Sequence, residues 1–575
     1  MTNRLAVRYY RFLCVFILST ISYYAYSQPI NHYFENNDST LFDNNDVRSS
    51  NREDANPVVT IKRINVSRLN KNKPDTIIID DIEKLISTDI KENNQRYTID
   101  RLHNLSTKVT TYYRSKGYIL SKVYFPEQSV KNKSLYLDVV YGNLEQVTTH
   151  KQDHYSSERL TRPFQDIIGK PTHISSLESS LLELNQYPGV SVKSRFKQGD
   201  DIGNTQIDIF VTEEKITDFN FSFDNYGSEY TGSMRGMLSA DVYNIADMAD
   251  RLNFNILATI DPANSLFVGA NYSFRWSPYF KSDWLNSFFR HGIITRIGYQ
   301  ESQYTVGGDF KLVKIEGEAN TAFVGISKHF ILRNHLQLNG GLTLSKKQAT
   351  SFQNNQAQIE DSLSIATITS ALQWNDHIGS PSASAIQLDI HKGLPGFAGA
   401  YENDDSKISR SGTSNNKAPM DFTKYNLVMM RNQAVGPYQF LTKVRFQYTD
   451  DILLSSELSN LGGANAVRGY SNSDFSGDHA SIATLEISGK ANASKFVLPI
   501  SNLKLAAFFD YGKGKRLEPN QDILANAEMA SVGGYAQFIK DNKFSSKIEL
   551  AIPLNDVGES SANKFEILFN FDRGF

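Results

Sequence analysis

The sequence predicts an all-β, 16-stranded transmembrane barrel preceded by two small α/β domains. Three observations predict it. First, from about residue 217 to the end the hydropathy alternates with period two. Leu252, Phe254, Ile256, Ala258 and Ile260 fall on one side, and Asn253, Asn255 and Thr259 on the other. Phe440, Val444, Phe446 and Tyr448 likewise oppose Lys443, Arg445 and Gln447. The last strand sets Phe565, Ile567, Phe569, Phe571 and Phe575 against Glu566, Asn570 and Asp572. A soluble sandwich also alternates. A charged face opposed to an aromatic-capped apolar face, recurring along the chain, is the pattern of a barrel whose outside meets lipid. Second, beyond the N-terminal segment there is no run of 18 or more apolar residues, and mean hydropathy is −0.39, which membrane strands allow because their faces average out. Third, the connections are unequal. Those at 261–264, 333–334, 434–437 and 540–542 read as tight; those at 276–289, 347–362, 393–420, 450–479 and 512–527 read as long. Short turns at one end and long loops at the other belong to outer-membrane barrels. Taking 217–243 as one broken strand gives 16 strands and taking it as two gives 17; even parity selects 16. Trp276, Tyr279, Phe280, Trp284, Phe288 and Phe289 are expected at the outer girdle or in a folded loop. A soluble all-β receptor is the alternative.

The N-terminus carries Arg4, Arg8 and Arg11, then an apolar run over 12–21, then Ala25-Tyr26-Ser27. This predicts a signal peptide over 1–27; a membrane anchor is the alternative, although the run is short for a spanning helix. Cys14, the one Cys, lies inside it, so the exported chain would have no disulfide. Residues 28–57, rich in Asn, Asp and Ser, predict a disordered linker or a weak plug segment, with at most a short helix near 31–41.

The first α/β domain is expected over 58–147. It would have a strand at 58–66, a helix capped by Asp80 or Asp81 with Ile82, Leu85 and Ile86 inward, and a second helix capped by Thr98. On that helix Ile99, Leu102, Leu105, Val109 and Tyr112 form one stripe, and Gly117 ends it. Strands follow at 118–125 and 134–141, closed by Gly142-Asn143. Residues 148–215 repeat the plan: a helix over 158–168 stopping at Gly169, a capping box of Ser175 and Glu178 before Leu177, Leu181 and Leu184, and strands at 190–197 and 205–212. One α+β domain of the same length would fit the periodicity equally well.

A net charge of −2 and the lack of a basic face with stacking aromatics give no case for nucleic acid. The 11 His show no metal spacing, so no metal and no cofactor are expected. HExxH, GxxxxGK[ST] and a nucleophile elbow are missing, which argues against an enzyme. Glu402, Asp404 and Asp405 read as a solvated charge run.

The candidate site is LGGANAVRGY, residues 461–470, with its tail SNSDFSGDHA over 471–480. Arg468 stands among Val467, Gly469 and Tyr470. In the strand at 503–511, Leu505, Ala507, Phe509 and Tyr511 share the lipid-type face, so Lys504, Phe508 and Asp510 face the lumen. A guanidinium offers a carboxylate two parallel hydrogen bonds, and Gly469 and Gly512 would allow backbones to approach. Arg468 and Asp510 would then anchor the loop at 450–479 as it folds inward. From residue chemistry alone, a solvated loop cation remains equally open.

VRGY after LGG, then Gly477-Asp478 and a strand bearing Glu486, with the F-x-D-x-G of Phe508, Asp510 and Gly512, resembles the ShlB/FhaC/HecB family, the TpsB transporters of two-partner secretion. Lys116-Gly117-Tyr118 with Pro126-Glu127-Gln128 resembles that family's first periplasmic POTRA domain (58–147). Leu184-Asn185-Gln186-Tyr187-Pro188-Gly189-Val190 resembles its second (148–215). Asp224-Asn225-Tyr226-Gly227-Ser228 with Thr231-Gly232 resembles its entry into the barrel (216–575), and terminal Phe575 an outer-membrane assembly signal. The resemblance implies an Arg468–Asp510 pair inside the barrel and a bacterial outer-membrane location with POTRA domains in the periplasm. It also implies a monomer that captures an unfolded TpsA-like exoprotein of hemolysin/hemagglutinin type and threads it to the surface. The remaining partners would be outer-membrane lipid and the barrel assembly machinery that inserts the chain. An assembly insertase for other barrels and a non-translocating receptor barrel are the alternatives. Residues 28–57 are a poor match to the family's plug helix.

Overall fold

In the computed structural model the described residues run from 58 to 575 except 69–75, 202, 214, 262–264, 279–281, 403–407, 411–417, 473, 492–502, 518–525, 541–542 and 559. The expected signal peptide, the linker, Asp404, Asp405, Tyr279 and Phe280 therefore lie outside them. The described residues form two compact units, one within Lys215–Trp276 and Gly292–Phe575, the other from residue 58 to 213 with Ser277–His291.

The α/β unit contains two three-stranded sheets built on one plan. In the first, Ser134–Val140 lies between parallel Arg63–Arg68 and antiparallel Lys122–Tyr124. In the second, Asn204–Glu213 lies between parallel Asn143–His150 and antiparallel Val190–Gln198. Strand Asn143–His150 thus belongs to the second sheet, so the division expected at 147/148 moves to Gly142. The strand expected at 58–66 is two pieces. Val59–Thr60 pairs with Arg96–Tyr97 before the chain switches partner at Ile61, whose N–H goes to the Gln95 carbonyl.

The first long helix, Thr76–Glu92, starts a turn before Asp80 and Asp81, which are therefore interior residues and not caps. Asp81 instead accepts a hydrogen bond from the Tyr112 hydroxyl. The second helix, Ile99–Ser115, is capped by Thr98, whose side chain accepts from the Arg101 N–H. Most of its stripe holds: Leu105 and Val109 are buried, Leu102 and Tyr112 pack partly buried against the same core, and Tyr113 joins them, while Ile99 in the first turn is exposed. Gly117, at φ +94°, ends it, with the Tyr118 N–H reaching back to the Tyr113 carbonyl. That turn consumes the start of the expected strand 118–125, leaving Lys122–Tyr124. The helix expected at 158–168 stops at Thr161 and tightens into a 3-10 turn, Arg162–Phe164, since Pro163 cannot donate the next helical hydrogen bond. Helix Ile174–Leu184 is capped not by Ser175 but by His173, whose Nδ1 accepts from the Ser175 N–H.

The barrel closes with 16 strands. In order they are Thr217–Asp224, Met234–Tyr243, Arg251–Asp261, Ser265–Trp276, Ile293–Thr305, Ile315–Arg333, Leu336–Gln353, Gln356–Asp376, Ser382–Gly393, Thr423–Val435, Tyr438–Thr449, His479–Ala491, Leu503–Lys515, Asn526–Lys540, Phe544–Pro553 and Glu566–Gly574. The expected count holds with a different partition, because 217–243 is a hairpin of two full strands, not one broken strand. The sixteenth strand pairs with the first from Asn570 opposite Asp224 to Gly574 opposite Asn220. The faces follow the alternation: Phe254, Ile256, Leu505 and Phe509 are exposed, whereas Asn253, Asn255, Phe508 and Asp510 are buried.

Two expectations about connections change. The stretch 347–362 is not a loop; the seventh and eighth strands run through it and turn at Asn354-Asn355. Those strands have 18 and 21 residues, well beyond the roughly 9–11 that cross a bilayer, so their ends extend past the lipid, where Ser351, Ile359 and Asp361 are nonetheless buried. Counting strands also exchanges two connections. Residues 262–264 share an end with the long 394–422 and 450–478, and 277–292 shares an end with the short 334–335 and 436–437, so length alone does not mark an end. The connection 277–292 contains the short helix Asp283–Phe288, on which Trp284 stacks with Phe288.

Candidate functional site: a loop folded into the barrel

Residues 450–478 join the eleventh and twelfth strands, and most of them are buried. They contact inward-facing side chains of several strands, so the loop turns into the lumen. Leu461, Val467, Tyr470 and Phe475 pack with Ile482 and Met529 in an apolar cluster. That cluster sets the path of the loop before any charge is considered. Gly469 has φ +85°, and a Cβ there would lie 3.0 Å from Pro553. Gly512 lacks a Cβ where one would come within 2.6 Å of Val467 Cγ2. Gly469 thus lets the loop close on Pro553, and Gly512 leaves room on the wall for Val467.

This packing delivers Arg468 to Asp510. Arg468 Nε donates to Asp510 Oδ2 at 2.6 Å and Nη2 to Oδ1 at 2.9 Å, a two-pronged pair. The Arg468 backbone N–H adds a third contact at 3.3 Å. The Arg side chain is 9% exposed and the Asp side chain 0%. The guanidinium also lies 3.3 Å from the centre of the Phe508 ring, which a cation over an aromatic face favours. Burial works against the Arg468 charge, and the hydrogen bonds and charge of Asp510 outweigh it, so its pKa stands above the ordinary arginine value. Tyr470 is buried, its hydroxyl 2.9 Å from the Ala530 carbonyl and 2.8 Å from Asn555 Oδ1.

The residues singled out from sequence (Val467, Arg468, Gly469, Tyr470, Phe508, Asp510 and Gly512) thus meet in one place. The site is larger than a pair. Glu549 accepts from Arg468 Nη1 at 3.1 Å, and Glu486 lies 3.9 Å from it. Lys547 and Lys504 approach these glutamates at 3.4 and 3.6 Å, and Tyr535 donates to Glu486 at 2.5 Å. Glu549 was findable: it sits between Ile548 and Leu550, both exposed, so period two puts it on the lumen face. Among the described residues no cluster of His, Cys, Asp and Glu could hold a metal ion.

A closed 16-stranded barrel, α/β domains ahead of it and an inward loop tied through VRGY define an outer-membrane secretion transporter. Residues 203–536 match the haemolysin secretion/activation protein family ShlB/FhaC/HecB, and residues 82–142 match the ShlB-type POTRA domain. The chain belongs to that family: it is an outer-membrane transporter of two-partner secretion with periplasmic POTRA structure. It is 21% identical over 513 residues to the heme/hemopexin transporter protein HuxB of Haemophilus influenzae, covering 87% of this chain and 85% of that one. It is 23% identical over 434 residues to the outer membrane transporter CdiB of Dickeya dadantii, covering 73% and 71%. The solved structure of CdiB from Escherichia coli shares the fold, with TM-score 0.72 and 17% identity over 95% of this chain and 94% of that one.

Proposed function

We propose that the chain works as a monomer that takes one large unfolded exoprotein of hemolysin/hemagglutinin type from the periplasm and passes it through the barrel. The barrel assembly machinery would insert it among outer-membrane lipids. In this reading Arg468 and Asp510, seated with Val467, Gly469, Tyr470, Phe508 and Gly512, form a latch that keeps the loop at 450–478 in the transport path. The two α/β domains bind the client, whose extended segments can add to their sheet edges. One observation carries the latch: a buried guanidinium whose hydrogen bonds run to carboxylates on the thirteenth and fifteenth strands. Such a contact holds strongly while intact and leaves costly buried charge when broken.

The test is electrical. In planar bilayers the full-length Arg468→Ala chain should conduct in more frequent or longer openings than the parent. Indistinguishable traces would mean a static strut. At the level of the client, deleting the gene should remove one large exoprotein from the surface and leave unrelated barrels in place. Loss of many unrelated barrels would instead identify an insertase.

A further inference from the structure

Arg468 holds only the tip of the loop. Its root is held elsewhere, by groups that family motifs do not include. Ser455, Ser456 and Glu457 form a buried 3-10 turn. Glu457 Oε1 accepts from Lys347 Nζ at 2.7 Å and Oε2 from Lys424 Nζ at 2.7 Å. Lys424 Nζ also reaches the Glu457 carbonyl at 3.1 Å, and Gln447 Nε2 donates to the same oxygen at 3.2 Å. The Glu457 side chain is 2% exposed, Lys424 4% and Lys347 15%. Leu453, Leu454 and Leu458 pack beside it against Leu363, Ile365 and Phe422. The two lysines stand on the seventh and tenth strands, while Arg468 bonds to the thirteenth and fifteenth. The loop therefore crosses from one arc of the wall to another, tied at both.

We infer that Glu457, clamped between Lys347 and Lys424, is a second lock that positions the root of the loop independently of the Arg468 tip. It deepens the latch reading, since it matters for transport only if the loop lies in the path. Releasing Arg468 then frees the tip alone, and clearing the lumen requires both locks to open. The geometry supports independence: no residue bonded to Glu457 is bonded to Arg468, and the stretch between them, 461–467, packs against a separate apolar cluster. Opening the root breaks a buried ion pair, which is strongly unfavourable unless another charge replaces the lost partner.

The test uses the full-length chain in liposomes, with Cys14→Ser and one reporter thiol. Ser456→Cys reports the root and Ala466→Cys the tip, both buried positions, read with a membrane-impermeant maleimide. Glu457→Gln should raise labelling at 456 by about tenfold or more, the ratio a loss of ~1.4 kcal/mol produces, and leave 466 protected. Arg468→Ala should do the reverse, and the combined variant should conduct more than either alone. Heat-modifiable gel mobility reports that each barrel is folded. Should Glu457→Gln disturb assembly, Lys424→Glu combined with Glu457→Lys and with Lys347→Gln, which removes the like charge at the other prong, re-forms one pair in reverse and should restore protection at 456. No restoration overturns the lock as a charge pair. Unchanged labelling at 456 in Glu457→Gln, or exposure of 456 by Arg468→Ala, overturns its independence. If Arg468→Ala changes neither labelling at 466 nor conductance while Glu457→Gln opens 456, the tip latch fails and the root lock stands.

Discussion

The first α/β domain and the barrel use the same amino acids in opposite senses. In the domain, Leu105, Leu137 and Tyr113 are inside, and the sheet's outer face meets water. In the thirteenth barrel strand Leu505 is 48% exposed and Phe509 39%, while Asp510 is fully buried. The difference is the solvent. Where lipid surrounds the wall, apolar side chains are satisfied outside, and the interior is left to charges that must pair with one another. A core of leucines loses contacts and gains a cavity when one is cut back; a core of charges is left with an unpaired charge when one partner goes.

The largest expected effect tests that last statement. The Arg468–Asp510 pair is not symmetric, because Arg468 also serves Glu549 and Glu486. Arg468→Ala strands Asp510 and leaves Glu549 and Glu486 with only Lys547 and Lys504, and should destabilise the loop-in state by about 3–5 kcal/mol. Asp510→Ala leaves the cation with Glu549 and should do less. Thermal melts of the two variants and their double mutant measure the coupling. Equal losses with no coupling would remove the pairing from the account.

A middle-sized effect compares one substitution in both regions. Leu137→Ala opens a cavity in a sealed core and should cost about 2–5 kcal/mol. Leu505→Ala opens none, since lipid tails fill the space, and should cost only the transfer term, roughly 1–1.5 kcal/mol. Urea titration of each full-length variant by intrinsic fluorescence separates them. Equal costs would mean that the exposed strand face is packed against protein and not lipid.

The same contrast governs what could be read from residues. Period two survives in the barrel because each strand has one lipid face, so Asp510 and the outward Phe509 were legible without a structure. Failures occur where neither face of a strand meets lipid. Residues 347–362, rich in Gln, Asn and Ser, look like a loop, yet they belong to strands of 18 and 21 residues. Lys347 lay in that stretch and escaped notice, and Glu457 with it, since a lone Glu in a loop has no periodicity. In the α/β unit the apolar stripes were visible and the ends were not. Asp80 and Asp81 resemble caps, but Thr76 already begins the helix. Pro163, visible in the sequence, does break the expected helix at 158–168.

The smallest expected effect lies on the second α/β sheet, at a place where that unit imitates the lumen. Asp208 sits on the central strand, its side chain 4% exposed, with Lys197 Nζ at 2.5 Å, His150 Nε2 at 3.2 Å and Arg195 Nη2 at 3.4 Å. The hydrogen bond from Lys197, assisted by His150 and Arg195, holds its pKa down at about 2, against an ordinary 3.8. A carboxylate with a depressed folded pKa contributes stability that is present above the unfolded value and lost as the pH falls through the folded one. Acid should therefore weaken the unit between pH 3.8 and about 2 through this group. Asp208→Asn should flatten that part of the stability–pH curve and leave its neutral arm sloping as before. Unlike Arg468, the three partners here reach solvent, so screening keeps the effect small and makes it fade with added salt. An Asp208→Asn loss as large as that of Arg468→Ala, and insensitive to salt, would mean that this sheet face is covered by protein in the working transporter.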